Sequence, residues 1–304
     1  MDQSNRQPGG NGHREALHFS HPPKRVVSLV PSLTESMFDL GFGDSLVGIT
    51  DFCTNPKEAL GAVAPIGGPK DPRIQEILAL KPDLVLADWE ENTRSSVAEL
   101  DAAGLAVWVT YPSTVRESLE ILWTLSRLFN SQQAQLKLQM LEVTLEWTIS
   151  ALAETKPVRY FCPVWYDQTE NNLDWWMTFN RFTYCHDLLG LFGLKNVFAD
   201  RKRRHPLAAD LGLGPAEDMD GLDTRYPRVS LDELRDEQIE LILLPDEPFN
   251  FDESHRKLLQ DMLGETPAVK NERVLLVDGS LITWHGTRLA LALRELPALL
   301  DLHM

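Results

Sequence analysis

The residues best suited to bind a ligand are aromatic side chains beside polar loops. Indole and phenol rings bury large areas and stack on flat, partly apolar molecules. The clusters are Trp89 after "PDLVLAD", Trp165 and Tyr166 after "FCPV", Trp175 and Trp176 in "NLDWWMTFN", and Trp284 with His285 in "LITWHG". Any single tryptophan could instead pack against its own domain. Their recurrence after predicted strands favours contact with a large, flat ligand.

Patterns for catalysis or for a bare metal ion are missing from the sequence. GxSxG, HExxH, Walker A and GxGxxG are all absent, so the common hydrolase, zinc-protease and nucleotide-binding sites are not indicated. No histidine lies between Pro22 and Glu154, which disfavours a metal ion held by histidines from both halves of the chain. We therefore predict no metal site and no intrinsic cofactor.

Composition excludes further classes of partner. The 304 residues carry a formal net charge of −16, and such a surface repels nucleic acid, so no nucleic-acid partner is predicted. No apolar stretch reaches the roughly 20 residues that span a bilayer. Residues 1–23 are predicted to be a flexible polar tail without the apolar region of a secretory signal. Two alternatives follow from the sequence as written: the protein stays in the cytoplasm, or an export segment was trimmed or mis-annotated at the start codon.

Two further features leave alternatives open. Cys53, Cys162 and Cys185 lack CxxC spacing, which favours separate thiols over a disulfide framework; Cys53 could be a soft ligand or a small apolar residue. The basic run "RKRR" at 201–204 could bind carboxylates or phosphates, or could form a solvated loop.

Alternating strands and helices must position these residues. In the first part of the chain we predict strands at 25–30, 46–50, 83–87 and 105–110, and helices that start at the capping-box residues Ser32 to Glu35, at 73, at about 93 and at about 114. This alternation indicates βαβ units with a parallel sheet. The carboxyl ends of parallel strands present ligand sites, and Trp89 lies at such an end.

A long helix and a second α/β region follow. Residues 131–154 lack Gly and Pro and predict one helix long enough to bridge two lobes. Strands are then predicted at 158–164, 240–246 and 273–279, with the aromatic loop at 171–180 before a helix at about 181. Trp108, Trp123 and Trp147 are predicted to lie in the core. We predict a tail at 1–23, a lobe at 24–130, a bridging helix at 131–156, and a lobe at 157–304 with an insertion at about 201–223.

Several motifs resemble a known family. They are "RVVSLVPSLTES", "GITDFCTNP", "LKPDLVLADWEEN" and, more loosely, "DGSLITWHGTRLALAL". In order and spacing they are similar to the helical-backbone periplasmic binding proteins of ABC importers, in the cobalamin- and iron-chelate-binding branch. The similarity is close over residues 24–156 and thinner beyond.

The resemblance implies a fold and a function. The implied fold is α/β, with two doubly wound lobes joined by one backbone helix, as in class III periplasmic binding proteins. The implied function is capture of a corrinoid or other metal chelate in the inter-lobe cleft, by a monomer that is not an enzyme and that serves an ABC permease. Positions that match the family motifs imply ligand contacts at Phe52, Cys53, Trp89, Trp175, Trp176, Trp284 and His285. We also predict ligand contacts at Trp165 and Tyr166. The polar groups predicted to orient the ligand are Asn92, Asn180, His285 and Arg288.

Three departures from the family pattern keep alternatives open. The signal peptide is missing although the family is periplasmic or on the cell surface, Arg94 lies where the family has an acidic docking residue, and residues 201–223 are additional. One alternative is a cytoplasmic enzyme or cofactor-handling protein that uses Glu90, Asp167 or His186. A bare-metal receptor is the second alternative.

Overall fold

The computed structural model describes residues 19–153, 155–218 and 221–301. Residues 1–18 of the predicted tail lie outside this part. Contacts divide the chain into two compact units: the first is Met1–Pro112, Arg116–Thr144 and His285–Ala290, and the second is Ser113–Val115, Leu145–Trp284 and Leu291–Met304. The predicted domain limits differ from these mainly at 285–290, a late segment that belongs to the first unit.

The first unit contains a parallel sheet of five strands. The strands are β1 Val26–Ser28, β2 Leu46–Ile49, β3 Ala64–Pro65, β4 Leu84–Asp88 and β5 Val107–Thr110. Their order is β3-β2-β1-β4-β5, and every neighbouring pair is parallel. All residues of β1 and β4 are buried, because helices cover both faces of such a sheet and the central strands are apolar on both sides.

Helices follow these strands as the alternation predicts. They are α1 Pro31–Asp39, α2 Lys57–Leu60, α3 Ile74–Ala79, α4 Arg94–Ala102, α5 Val115–Leu128 and α6 Gln132–Leu152. The predicted capping box at α1 is wrong: the helix begins at Pro31, and no side chain caps it. Proline suits this first position because its fixed φ fits the helix and its missing N–H has no helical acceptor. At α4 the Thr93 side chain caps the Ser96 amide.

The second unit contains two sheets. The strands are β6 Val158–Phe161, β7 Trp165–Gln168, β8 Asp174–Met177, β9 Leu194–Asn196, β10 Arg228–Ser230, β11 Leu241–Pro245 and β12 Val274–Val277. The parallel sheet has the order β12-β11-β6-β9, and the antiparallel sheet has the order β10-β8-β7. The prediction of a loop at 171–180 is therefore partly wrong, because 174–177 form the central strand of the antiparallel sheet.

Short helices complete the second unit. They are α7 Tyr184–Leu191, α8 Leu207–Asp210, α9 Leu231–Asp236, α10 Glu253–Met262, α11 Pro267–Lys270, α12 Ser280–Thr283 and α13 Leu289–Leu299. The start of α9 has a reciprocal capping box between Ser230 and Glu233. This box satisfies backbone amides at both ends of the first turn.

The long helix α6 has the predicted place in the sequence, but one of its tryptophans is not buried. Leu138 and Leu141 are buried, whereas Trp147 is 76% exposed. The prediction that Trp147 belongs to the core is therefore wrong. Within the described ranges, no helix is both long and apolar enough to cross a membrane.

Candidate functional site

In the first unit, two exposed aromatic side chains each follow a strand of the same parallel sheet. Phe52, three residues after β2, is 62% exposed, and Trp89, directly after β4, is 42% exposed. Strand β1 lies between β2 and β4, so the two strand ends are about 10 Å apart at the usual strand spacing. Since all three strands are parallel, both rings lie at the carboxyl edge of the sheet, where α/β folds bind ligands.

Asn92 fixes the loop that carries Trp89. Its Oδ1 accepts a hydrogen bond from the Asp88 amide at 2.8 Å, and its Nδ2 donates to the carbonyls of Leu29 at 3.2 Å and Pro69 at 3.0 Å. The side chain is buried and its donors are used within the first unit. Asn92 was predicted to orient a ligand, and the structure shows it tying the Trp89 loop to two other loops.

Asp88 and His285 form a polar group beside that loop. The Asp88 carboxylate accepts hydrogen bonds from the Glu90 amide at 2.9 Å and the Thr110 hydroxyl at 2.8 Å. Nε2 of His285 lies 3.7 Å from Asp88 Oδ2 and 3.5 Å from Ser32 Oγ. Both Asp88 and His285 are buried. The predicted site residue His285 thus lies beside Asp88 at the end of β4 and Ser32 in α1.

Gly286 brings the chain at His285 close to α1. Its φ is +91°, and a Cβ there would lie 2.3 Å from Ser36 Oγ. Its amide donates to Ser118 Oγ at 2.7 Å. A side chain at this position would therefore meet both backbone strain and a clash.

Arg288 forms a buried ion pair with Glu35 of α1. Its Nε donates to Glu35 Oε2 at 2.9 Å, and its Nη2 lies 2.7 Å from Oε1. Two parallel contacts of this kind make the strongest form of arginine–carboxylate pair. Arg288 was predicted to orient the ligand, and the structure shows its guanidinium engaged by Glu35.

Charged groups surround Trp89 on the surface of the first unit. The guanidinium carbon of Arg94 lies over the indole ring, 4.7 Å from its centroid, a cation–π contact. The pKa of Glu91 is raised by desolvation and then by the charge of Asp88, although its side chain is solvent-exposed. Arg94 was not predicted as a site residue; its position one turn beyond a strand-end tryptophan could have indicated it.

Cys53 is buried next to Phe52. Its sulfur donates to Thr34 Oγ1 at 3.2 Å and lies 3.3 Å from Thr50 Oγ1. Burial raises the pKa of this thiol, so the neutral form is favoured. All three cysteines are buried thiols.

In the second unit, Trp165 and Tyr166 belong to an aromatic cluster at β7. Trp165 is 42% exposed, and its ring meets that of Phe249 edge-on, with centroids 5.4 Å apart. Phe249 follows β11 and also contacts Tyr166 and His255 at 6.2 Å and 5.1 Å between centroids. Phe249 was not predicted as a site residue. Like Trp89 in the first unit, it lies shortly after a buried parallel strand, and that position was the available signal.

Asp174 forms hydrogen bonds that fix the position of Tyr166 in this cluster. Its Oδ1 accepts hydrogen bonds from the Tyr166 hydroxyl at 2.6 Å and from Gln168 Nε2 at 2.8 Å. Desolvation, followed by the contact with Asp174, raises the pKa of Tyr166 to about 12. Tyr166 therefore stays neutral and remains a hydrogen-bond donor at physiological pH.

The remaining predicted residues of the second unit are less accessible. Trp175 and Trp176 are both buried, and Trp176 packs in the hydrophobic core. Asn180 is buried and donates to the carbonyls of Arg201 and Thr224. Trp284 is half-buried. Among the aromatic residues predicted here, Trp165 presents the most surface to solvent.

Metal ligation by protein side chains is not indicated in the described ranges. No group of three or more His, Cys, Asp or Glu residues there could hold a metal ion. Exposed rings beside buried hydrogen-bonded polar groups suit non-covalent binding of a flat organic surface.

The sequence model that describes periplasmic binding proteins matches residues 26–281. This chain belongs to the periplasmic binding protein family.

Curated relatives within this family are similar over part or most of their length. The vitamin B12-binding protein of Vibrio cholerae is 27% identical over 186 residues, which are 61% of this chain and 64% of that protein. The aligned part thus spans just under two thirds of that relative. An ABC transporter substrate-binding lipoprotein of Bacillus subtilis is 27% identical over 289 residues, which are 90% of this chain and 79% of that protein.

A solved structure shares the periplasmic binding protein fold. The crystal structure of the periplasmic vitamin B12-binding protein of Vibrio cholerae superimposes with a TM-score of 0.73 at 22% identity, covering 92% of this chain and 98% of that one. This similarity and the two parallel sheets confirm the predicted α/β fold class. The family match and the names of the relatives confirm the predicted resemblance.

Proposed function

We propose that this chain is a substrate-binding protein that captures a corrinoid or another metal chelate for an ABC-type importer. The observation that carries the proposal is the pair Phe52 and Trp89. Both rings are exposed at the carboxyl edge of one parallel sheet. Exposed aromatic rings lose contact with water when they stack on a flat ligand, which supplies binding free energy.

A third exposed ring supports the proposal. Trp165 is backed by Phe249, and the cluster behind them is fixed by the hydrogen bond from Tyr166 to Asp174. A ring that is already held in place loses little conformational entropy on binding. We propose Trp165 as a ligand contact in the second unit, with Phe249 as its support.

Buried polar residues of the first unit act as positioning residues in this proposal. Asn92 holds the Trp89 loop, and the pair Glu35–Arg288 holds the segment after His285. Such residues determine where the exposed rings lie without contacting the ligand.

Family membership and the relatives support binding rather than catalysis. The Vibrio cholerae relative is a vitamin B12-binding protein, and the Bacillus subtilis relative is a substrate-binding lipoprotein of an ABC transporter. We therefore propose that the chain performs no chemical step on its ligand and that its macromolecular partner is an ABC permease. The alternative of an enzyme that uses Glu90, Asp167 or His186 is set aside.

Direct titration tests the proposal. The purified chain is titrated with cyanocobalamin, haemin and a ferric hydroxamate siderophore, and binding is followed by tryptophan fluorescence and by calorimetry. We expect saturable quenching by at least one of the three chelates, with one ligand per chain. Absence of heat and of quenching with all three would remove the proposal.

A further inference from the structure

The predicted insertion at 201–223 contains a buried carboxylate among its described residues. The Asp210 side chain has no solvent exposure. Its Oδ1 accepts from Arg201 Nη1 at 3.0 Å and from the Arg204 amide at 2.9 Å. Its Oδ2 accepts from the amide and from Nε of Arg228, both at 2.9 Å. Four donors therefore fill the acceptor sites of this carboxylate.

Two other carboxylates nearby, those of Asp223 and Glu233, also accept hydrogen bonds from particular arginines. Asp223 receives Nε and Nη2 of Arg225 at 2.9 Å and 2.7 Å. Glu233 receives Nε of Arg201 at 2.9 Å through Oε1, while its Oε2 caps α9 at Ser230. The arginines at 201, 225 and 228 thus each have a carboxylate partner.

Arg203 differs from these three arginines. Its Nε is buried, and no acceptor among the described residues reaches it. Burial, and next the positive charge of Arg228, lower the pKa of Arg203, so its surroundings disfavour the charge that the guanidinium carries. A buried donor left without an acceptor is destabilising, because its desolvation is not compensated.

A second buried nitrogen lies two residues further along. Nε2 of His205 is buried and also lacks a hydrogen-bond partner within the described ranges. The segment between them is held by the Arg203 amide, which donates to the Thr224 carbonyl at 2.9 Å, and by the Arg204 amide on Asp210. The backbone around both side chains is therefore fixed by the structure.

We propose that Arg203, with His205 as a second donor, binds a small oxyanion, either a carboxylate or a phosphate. An anion at Arg203 would supply the acceptor that the protein does not provide and would balance the charge beside Arg228. A guanidinium matches the oxygens of both anions through parallel hydrogen bonds. The ligand must be small, because the net charge of −16 repels extended polyanions.

Binding of inorganic phosphate and of acetate is measured separately, at constant ionic strength set with KCl and without any chelate. The readouts are thermal unfolding and the Arg203 Nε–H signal in NMR spectra. We expect saturable stabilisation by at least one anion and a saturable shift of that signal. Phosphate and acetate distinguish the two classes of oxyanion. This result does not depend on the proposed chelate binding.

Arg203→Gln is compared with Lys202→Gln, which removes the same charge from an exposed neighbour. Arg203→Gln should weaken anion binding at least about tenfold, the loss of one charge-assisted contact, and Lys202→Gln should change it less than twofold. Without anion, Arg203→Gln should be at least as stable as the unmodified chain. His205→Ala should weaken binding severalfold; unchanged affinity would remove His205 from the site.

Three results would overturn the proposal. The first is absence of saturable binding by either anion. The second is equal weakening by Lys202→Gln and Arg203→Gln, which would show general electrostatic attraction. The third is a clear loss of stability in Arg203→Gln without anion, which would show that the guanidinium already has a partner within the protein.

Discussion

The guanidinium of Arg94 lies over the indole ring of Trp89, with 4.7 Å between the guanidinium carbon and the ring centroid. The charge is exposed and lies beside an aromatic ring that we propose as a ligand contact. A chelate with peripheral carboxylates can pair with Arg94, whereas a neutral one cannot.

We expect Arg94→Gln to weaken haemin binding by about 2- to 5-fold, the range of an exposed ion pair. Affinity for cyanocobalamin should change less than twofold, because its side chains are amides. Calorimetry with both chelates checks this, and Arg294→Gln, on an exposed face of α13, is the control. Equal weakening for both chelates would show that Arg94 acts only by supporting Trp89.

Asn92→Ala should destabilise the chain and loosen the Trp89 loop. Three hydrogen bonds are lost, and two carbonyls and one amide lose their partner, so we expect a loss of about 1–3 kcal/mol in the free energy of unfolding. Denaturant unfolding measures this. Asn250→Ala, at an exposed loop position, is the control and should change stability by less than about 0.5 kcal/mol. A loss below that value for Asn92→Ala would contradict the positioning role.

The pair Glu35–Arg288 should behave as a coupled unit. Both side chains are largely buried, so Arg288→Met leaves an uncompensated carboxylate and should cost about 3–5 kcal/mol. The double variant Glu35→Gln/Arg288→Met should recover part of that loss, because the unpaired charge is gone. A double-mutant cycle from denaturant unfolding tests this. Additive losses in the cycle would show that the two residues act independently.

Tyr166 should make stability fall at alkaline pH. Its pKa is raised to about 12 in the folded chain, against about 10 when unfolded. Above pH 10 the unfolded state releases a proton that the folded state retains, so this contribution to stability is lost as pH rises towards 12. Tyr166→Phe should therefore lose less stability over this range than the unmodified chain. Parallel curves for the two proteins would contradict the assignment.

The longer strands of the parallel sheets could be predicted because they are short apolar runs that alternate with helices. The edge strands β3 and β9, of two and three residues, were not predicted. The antiparallel sheet could not be predicted. β8 contains "DWWM", whose adjacent tryptophans show no simple alternation, and β10 lies about fifty residues later in the chain. Long-range pairing of this kind leaves no local signal.

The solvent exposure of individual side chains and the partners of charged groups were harder to predict from the sequence. Leu138 is buried and Trp147 is exposed, as expected for two positions nine residues apart, which lie on opposite faces of a helix; the prediction that Trp147 is buried did not use this spacing. The partner of Arg288 is Glu35, 253 positions earlier, and no spacing rule connects them. Trp89 could be predicted from its place at a strand end, whereas Phe52 was expected only from the family resemblance.

The central claim is that the rings of Phe52 and Trp89 bind the ligand. It is tested most directly by measuring the affinity of the variant Phe52→Ala/Trp89→Ala for cyanocobalamin and haemin. Truncating an aromatic contact costs about 1–3 kcal/mol, so the double variant should bind about 100-fold more weakly. Trp147→Ala removes an exposed tryptophan from α6 and should keep the affinity within twofold. If the double variant binds both chelates as tightly as the unmodified chain, these two rings do not form the ligand site.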